Sequence, residues 1–226
     1  MPRLALQIAQ KLHGGNPYEQ CDVKNYPLDL QGGFEQPIFK QLINILHPQL
    51  ILEVGSWKGA SAIRMASLLK EQLADGAVIC IDTWLGGLDH LMPPVPEWDI
   101  RPYAKRGYAT LYYQFLSNVI QQGLQDWIVP FPNTSATAAR WLSLNRFSTN
   151  LVYIDGSHEE DDVYQDCVNY WGLLQPSGVL FGDDWDPYHY GVICGVNRFA
   201  RSVDRPISII GPTWVVQKPP QTITFS

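Results

Sequence analysis

The sequence predicts an α/β protein whose doubly wound, mainly parallel sheet of seven strands carries helices on both faces. Short apolar segments alternate with segments of helical spacing, and residues that favour turns separate many of them. The first five predicted strands also end in an acid or a polar turn. Such alternation is typical of parallel α/β sheets. A chain of 226 residues suffices for one domain, 1–226, with a substantial core.

The helices and strands follow from the spacing of apolar residues and from the residues that interrupt it. Apolar side chains three or four residues apart indicate helices, whereas short apolar runs indicate strands. His47-Pro48, Asp75-Gly76 and Gly123 mark element ends, and 176–178 is a predicted turn. The predicted helices cover 34–46, 60–73, 104–122, 134–142, 159–174 and 191–202. The predicted strands are 50–54, 77–81, 127–131, 150–154, 179–182, 207–210 and 213–217, with a terminal piece at 223–226.

Two regions lie outside this alternation. Residues 1–48 precede the first strand, and their composition indicates a helical and loop extension of the same domain. Residues 86–103 are irregular and rich in proline. Because this segment is longer than an ordinary connection, we predict a lid or substrate loop there. Four aromatic side chains in and around it either close over a substrate or pack at the surface: Trp84, His90, Trp98 and Tyr103.

Charge and cysteine content exclude several kinds of partner and site. The formal net charge is −6 without a basic block, so we expect neither nucleic acid nor a membrane as a partner. No cysteine spacing indicates zinc, and the apolar surroundings of Cys80 and Cys167 predict buried thiols. We also expect no signal peptide and no membrane span. These features predict a cytoplasmic protein.

Acidic and polar residues at the strand ends indicate a ligand site. In doubly wound sheets, ligands bind beyond the carboxyl ends of the strands. The five strands offer a set of such side chains at this edge: Glu53, Asp82, Asn133, Thr134, Ser135, Asp155, Asp183 and Asp184. We therefore predict that the functional site lies along this edge of the sheet.

The most informative segment is QLILEVGSWKGAS, at 49–61, which predicts a strand, a tight turn and a helix. Gly55 and Gly59 stand where a turn needs residues without a Cβ, and the helix directs N–H groups at the turn. The spacing departs from the GxGxxG pattern of dinucleotide-binding folds. It resembles motif I of class I S-adenosylmethionine-dependent methyltransferases, with Trp57 where a third glycine is usual. The form GSWxGxS is similar to the macrocin-O-methyltransferase-like and cephalosporin-hydroxylase-like branch.

The resemblance continues through VICIDTW, LVYIDGSHEEDDV and LLQPSGVLFGDDW, and it covers residues 50–185. It implies S-adenosylmethionine as the cofactor. The residues expected to hold its methionine part are Glu53, Gly55, Ser56, Trp57 and Gly59, with Glu53 near the amino group and the turn N–H groups near the carboxylate. Asp82 is expected to accept the ribose hydroxyls, and the residues expected beside the adenine are Thr83, Trp84 and Ser135. The alternatives are a plain tight turn for the glycines and a helix cap or solvated strand end for Asp82.

A second group of residues indicates metal-assisted chemistry. Asp155 ends the fourth strand, and Asp183 and Asp184 end the fifth. Their carboxylates should converge and repel one another unless a cation or protons intervene. Oxygen ligands suit Mg²⁺, or else Mn²⁺ or Ca²⁺, and similar O-methyltransferases carry such an acidic trio. The alternative is that these acids only cap loops or backbone N–H groups.

The resemblance also implies that His158 is the general base, acting together with Asp155. An imidazole can accept a hydroxyl proton near neutral pH. The alternative is a capping or solvated histidine, and His189 is the reserve candidate. The acids at 159–162 are expected to favour a helix N-terminus rather than to bind a metal.

These features together predict an O-methyltransferase that acts on a hydroxyl group of a small molecule. A sugar, polyketide or phenolic hydroxyl would each suit a metal-assisted site. The alternatives are an NAD-dependent oxidoreductase and a non-catalytic module that retains the cofactor pocket. The N-terminal extension and the abundant aromatic residues also allow a homo-oligomer.

Overall fold

A computed structural model describes residues 3–31, 37–72 and 75–220. Within them the strands are β1 (Leu50–Val54), β2 (Ala77–Asp82), β3 (Ala104–Lys105), β4 (Tyr108–Ala109), β5 (Ile128–Pro132), β6 (Thr149–Ile154), β7 (Leu174–Gly182), β8 (Ser208–Ile210) and β9 (Thr213–Gln217). One sheet has the order β5-β2-β1-β6-β7-β9-β8. The five neighbouring strands β5, β2, β1, β6 and β7 run parallel, whereas β9 is antiparallel to β7 and β8. The predicted seven-stranded, mainly parallel sheet is confirmed.

Helices cover both faces of this sheet. The described helices are α1 (Leu4–His13), α2 (Pro37–Leu46), α3 (Ala60–Gln72), α4 (Leu88–Leu91), α5 (Leu111–Gln121), α6 (Ser135–Leu144), α7 (Glu160–Trp171) and α8 (Tyr190–Ser202). One hydrophobic cluster joins the sheet to α1, α6, α7 and α8. A second cluster joins the opposite face to α2, α3 and α5. None of the helices in the described ranges has the length and apolar character needed to cross a membrane.

The predicted helix at 104–122 is wrong in its first third. Residues Ala104–Lys105 and Tyr108–Ala109 form the antiparallel hairpin of β3 and β4. The residues between them, Arg106 and Gly107, have φ angles of 54° and 82°. Two consecutive left-handed residues are typical of the tight turn that joins paired strands. The helix therefore begins only at Leu111.

The turn predicted at 176–178 lies inside β7 instead. Thr149 pairs with Leu174 and Leu151 with Val179, so the register shifts between these pairs and leaves extra residues on β7. Ser177 has a φ of 66°, which fits a local irregularity within a continuous strand. Helix α7 also ends earlier than predicted, at Trp171. The predictions for 34–36, 73 and 223–226 lie outside the described residues.

Residues 86–103 contain the short helix α4 and two single helical turns, Pro96–Trp98 and Arg101–Tyr103. Ile100 is buried in the second hydrophobic cluster, and its N–H donates to the His90 carbonyl oxygen at 3.1 Å. The segment is thus attached to the core near its C-terminal end. Several of its apolar side chains are exposed nevertheless, among them Leu88, Leu91 and Met92.

Candidate active site

The turn after β1 is pressed against the first residue after β6. Gly55 has a φ of 82°, and a Cβ built on it would lie 2.0 Å from the carbonyl oxygen of Asp155. The Asp155 N–H donates to the Val54 carbonyl oxygen at 2.7 Å. Gly59 has a φ of 89° and faces the Phe115 ring. The contact at Gly55 therefore requires glycine for two reasons, its left-handed backbone and the proximity of another backbone.

Glu53 lies beneath this turn and is fully buried. Its two carboxylate oxygens accept hydrogen bonds from Ser56 Oγ at 2.5 Å and from Ser61 Oγ at 2.6 Å. Burial raises the pKa of Glu53 to about 7, although the two hydroxyl donors oppose this effect. Both oxygens thus hold the turn and the start of α3, and the predicted contact with the cofactor's amino group would need a change in these bonds.

Asp82 holds the same turn from the end of β2. Its Oδ2 accepts the N–H groups of Ser56 and Trp57, both at 2.9 Å. Its Oδ1 accepts the Trp84 N–H at 2.7 Å. A carboxylate offers about four lone-pair sites, so one acceptor site on Oδ1 stays open. This half-buried carboxylate therefore suits a ribose hydroxyl in addition to its role in the turn. We call Glu53, 55–59 and Asp82 the turn site.

The two tryptophans near the turn have different surroundings. Trp57 has a φ of 45° and stacks on the His90 ring, with 4.2 Å between ring centroids. Trp98 and Tyr103 lie around the same indole at 5.8 and 6.4 Å. By contrast, Trp84 is 1% exposed, and its Nε1 donates to the Trp57 carbonyl oxygen at 2.8 Å. The Trp84 indole therefore supports the turn from the core, and its predicted place beside the adenine stays a prediction.

The other two residues predicted beside the adenine differ in their availability. Thr83 is exposed, and its Oγ1 accepts the N–H of Leu85 at 3.2 Å. Ser135 begins α6, and its hydroxyl donates to the carboxylate of Asp166 on α7. Burial raises the pKa of Asp166 to about 6. The Ser135 hydroxyl is thus already used in a contact between two helices.

The acids of β6 and β7 do come together as predicted. A cavity of about 10 Å³, roughly the space that one water molecule needs, is lined by polar and apolar residues that include Asp155, His158, Asp183, Asp184 and Trp214. Tyr153 donates its hydroxyl to Asp155 Oδ2 at 3.0 Å. Burial and the carboxylates of Asp184 and Asp183 raise the pKa of Asp155 well above its ordinary value. We call Asp155, His158, Asp183 and Asp184 the acid site.

His158 lies between two carboxylates. Its Nε2 is 3.0 Å from Asp184 Oδ2, and its Nδ1 is 2.6 Å from Asp89 Oδ2. Burial alone would lower the pKa of His158, but Asp184 and Asp89 outweigh it and raise that pKa to about 9. His189 lies next to His158, with 4.3 Å between ring centroids, and its Nδ1 is 3.5 Å from Asp184 Oδ1.

Two residues of this site have no part in the sequence-based prediction. Tyr153 precedes Asp155 by two residues, and residues two apart share one face of a strand. The spacing of Tyr153 and Asp155 could therefore have indicated this contact. Asp89 lies 69 residues before His158, in the proline-rich segment, and no spacing or motif indicated it.

The acid site has donors that suit a divalent cation. Crowded carboxylates favour a bound cation, and oxygen donors suit Mg²⁺ or Mn²⁺. Within the described residues, His158, Asp184 and His189 also offer ligand atoms within 4.8 Å of one another. Asp184 thus belongs both to the predicted trio and to this mixed group.

The strand order and the glycine turn define a class I methyltransferase fold. The family model described as "Methyltransferase domain" matches residues 52–185, more than half of the chain. The chain therefore belongs to this methyltransferase family. No curated protein sequence matches it. The family match favours a methyltransferase over the alternative of an NAD-dependent oxidoreductase.

Solved structures of O-methyltransferases share this fold. The O-methyltransferase from Bacillus cereus in complex with SAH is 15% identical, with 95% of this chain and 90% of that chain covered and a TM-score of 0.59. TomG from Streptomyces achromogenes, in complex with SAM, is 16% identical, with 97% and 92% covered and a TM-score of 0.55. The O-methyltransferase NovP is 17% identical, with 80% and 78% covered and a TM-score of 0.58.

These comparisons confirm that the chain is a class I S-adenosylmethionine-dependent methyltransferase. The finer assignment to the macrocin-like and cephalosporin-hydroxylase-like branch is consistent with them and stays a prediction. The same is true of the roles of individual site residues.

Proposed function

We propose that this methyltransferase transfers the methyl group of S-adenosylmethionine to a hydroxyl oxygen of a small molecule, with a divalent cation at the acid site. The contact between Gly55 and Asp155 is the observation that carries this proposal. A cofactor held by the turn site would have its reactive end next to the acid site, because the backbone at Gly55 contacts the backbone of Asp155. Holding donor and acceptor side by side supplies much of the acceleration in such a transfer.

The turn site would hold the cofactor mainly through groups that are already ordered. The open acceptor position on Asp82 Oδ1 would take a ribose hydroxyl. Gly55 and Gly59 would keep the backbone close to the methionine part, and the ring of Trp57 would form part of the cover. Thr83, which is exposed next to Asp82, is the better of the adenine candidates.

At the acid site, Asp155, Asp183 and Asp184 would hold Mg²⁺ or Mn²⁺. A bound cation of this kind lowers the pKa of a hydroxyl group that it contacts. Without a cation, Asp184, 3.0 Å from Nε2, and Asp89 hold His158 protonated and raise its pKa to about 9. A cation bound by Asp184 would compete for that carboxylate and favour the neutral ring, which would accept the hydroxyl proton.

A cytoplasmic location also belongs to this proposal. All four cysteines are free thiols, and two of them, Cys80 and Cys167, are buried. A chain with free thiols suits a reducing compartment. S-adenosylmethionine and a small hydroxyl compound would then be the molecules that the protein binds.

Cofactor binding is tested by isothermal titration with S-adenosylhomocysteine. We expect saturable binding to the wild-type protein and binding about tenfold weaker in Asp82→Asn, which loses a charged acceptor. The exposed variant Glu71→Gln serves as the matched control and should bind like the wild type. Absence of binding at high micromolar concentration would argue against the assigned pocket.

The metal and the acceptor need separate measurements. Mg²⁺ or Mn²⁺ should raise the melting temperature of EDTA-treated wild-type protein, and this rise should be lost in Asp184→Ala. Formation of S-adenosylhomocysteine with a panel of catechols, phenols, sugars and polyketide alcohols identifies the acceptor. Transfer that proceeds equally well in EDTA would rule out the cation, and transfer to amines alone would rule out the hydroxyl acceptor.

A further inference from the structure

Asp89 reaches the acid site from a part of the chain that contributes no strand to the large sheet. It lies on α4, within residues 86–103, and its Oδ2 is 2.6 Å from His158 Nδ1. The Asp89 side chain is 50% exposed, whereas that of His158 is 25% exposed. The contact is thus a short hydrogen bond between a partly solvated carboxylate and the more buried ring that it approaches.

The chemistry of the two groups determines which atom carries the hydrogen. An ionised carboxylate can only accept hydrogen bonds, so the contact with Asp89 requires a hydrogen on Nδ1. By the same reasoning the carboxylate of Asp184 accepts a hydrogen from the other nitrogen, so the ring as it stands is protonated on both. That nitrogen, Nε2, faces the acid site, where it lies 3.0 Å from Asp184 Oδ2.

We propose that Asp89 is a positioning residue that orients the His158 ring and keeps a hydrogen on Nδ1, so that Nε2 is the nitrogen that exchanges a proton with the acid site. This inference rests on the proposed function, in which His158 is the base. It adds a second carboxylate to the contact that His158 makes with Asp184. A carboxylate that fixes the tautomer of a histidine base has the same role in catalytic triads.

The attachment of residues 86–103 explains how Asp89 is held in position. The next residue, His90, stacks on Trp57 at 4.2 Å, and its Nδ1 is 3.0 Å from the Gly87 N–H. Ile100 is buried and bonds to the His90 backbone. Consecutive residues therefore contact the two halves of the site, His90 the turn site and Asp89 the acid site. The segment would orient the base only while it lies over the cofactor turn.

The test uses protein labelled with ¹⁵N-histidine and reads the ring N–H protons by NMR. We expect a low-field proton bound to ¹⁵N in the wild type, because short charge-assisted hydrogen bonds deshield their hydrogen. The signal that is absent from His158→Gln belongs to His158. In Asp89→Asn it should move upfield or vanish, whereas Asp89→Glu should retain it.

Asp99→Asn is the matched control within the same segment. The Asp99 carboxylate accepts a hydrogen bond from Arg101 Nε at 2.8 Å, and within the described residues its hydrogen bonds and ion pair all involve Arg101, so the His158 signal should be unchanged. Wild-type affinity for S-adenosylhomocysteine in each variant shows that the fold is intact. An unchanged His158 signal in Asp89→Asn would overturn the proposal.

Kinetics extend the test once the panel above has identified an acceptor. We expect kcat of Asp89→Asn to fall about 10- to 100-fold, with an unchanged KM for S-adenosylmethionine and partial recovery in Asp89→Glu. An equal loss of kcat in Asp99→Asn would contradict a specific role. If no acceptor is methylated, the proposed function fails, while the NMR result still decides the role of Asp89.

Discussion

At the turn site, the carboxylates of Glu53 and Asp82 accept hydrogen bonds from backbone N–H groups and serine hydroxyls. At the acid site, Asp155 and Asp184 instead face other ionisable groups, some of them on distant segments. Neutral donors hold the first arrangement without a ligand, although burial disfavours the charge of Glu53 and one acceptor position on Asp82 stays open. The second leaves carboxylates close together, so its stability depends on protons or on a cation. A preformed cofactor pocket thus lies beside a site that a ligand must complete.

The largest expected effect concerns the backbone that joins these two sites. Gly55→Ala should lower the free energy of unfolding by about 3 kcal/mol or more, because it combines a left-handed backbone with backbone overlap. Gly123→Ala is the matched control: Gly123 has a φ of 65° but nothing within 4 Å of its Cβ position. It should lose only about 1 kcal/mol. Urea unfolding measures both, and equal losses would show that the contact with Asp155 is unimportant.

The next effect concerns the buried charge of Glu53. Because the pKa of Glu53 in the folded protein is raised, the contribution of this residue to stability is fully present below its ordinary pKa of 4.5 and is lost as the pH rises to about 7. The difference between these two pKa values corresponds to a change of at most about 3 kcal/mol in the free energy of unfolding. We therefore expect the stability of Glu53→Gln, relative to wild type, to increase between pH 5 and pH 8. A constant difference in urea unfolding across this range would show that Glu53 does not titrate there.

The smallest of these effects distinguishes the two sites by its sign. In EDTA at pH 8, Asp82→Asn should lower the free energy of unfolding by about 2 kcal/mol, since three N–H groups lose a charged acceptor. Asp155→Asn should raise it instead, because it removes a carboxylate that burial and its acidic neighbours disfavour. The rise should diminish as the pH falls and Asp155 becomes protonated. Two variants with effects of the same sign would invalidate the comparison.

The sheet could be predicted from the sequence because its strands are short apolar runs bounded by turn residues. The start of α5 at Leu111 could not, because the hairpin before it depends on the left-handed pair Arg106 and Gly107. The turn predicted at 176–178 also gave way to pairing between β6 and β7. A local turn thus ended the predicted helix, whereas a contact between distant strands overrode the turn signal at 176–178.

The part of the candidate site that lies at the carboxyl ends of the strands could be predicted from the sequence. Asp155, Asp183 and Asp184 converge because parallel strands bring their carboxyl ends to one edge. The burial of Trp84 was not predictable in this way, since a tryptophan next to a motif can face either a ligand or the core. The contact of Asp89 with His158 was equally unpredictable, because the two residues lie 69 positions apart and the contact depends on the path of an irregular segment.

The close approach of Gly55 to Asp155 also bears on how such an enzyme can diversify. The relative position of methyl donor and acceptor would be set by two main-chain segments and not by exchangeable side chains. Changes in residues 86–103 could then alter acceptor choice while the geometry of transfer stays the same. Substitutions in this segment that keep Asp89 would then change the substrate range and leave the orientation of His158 intact.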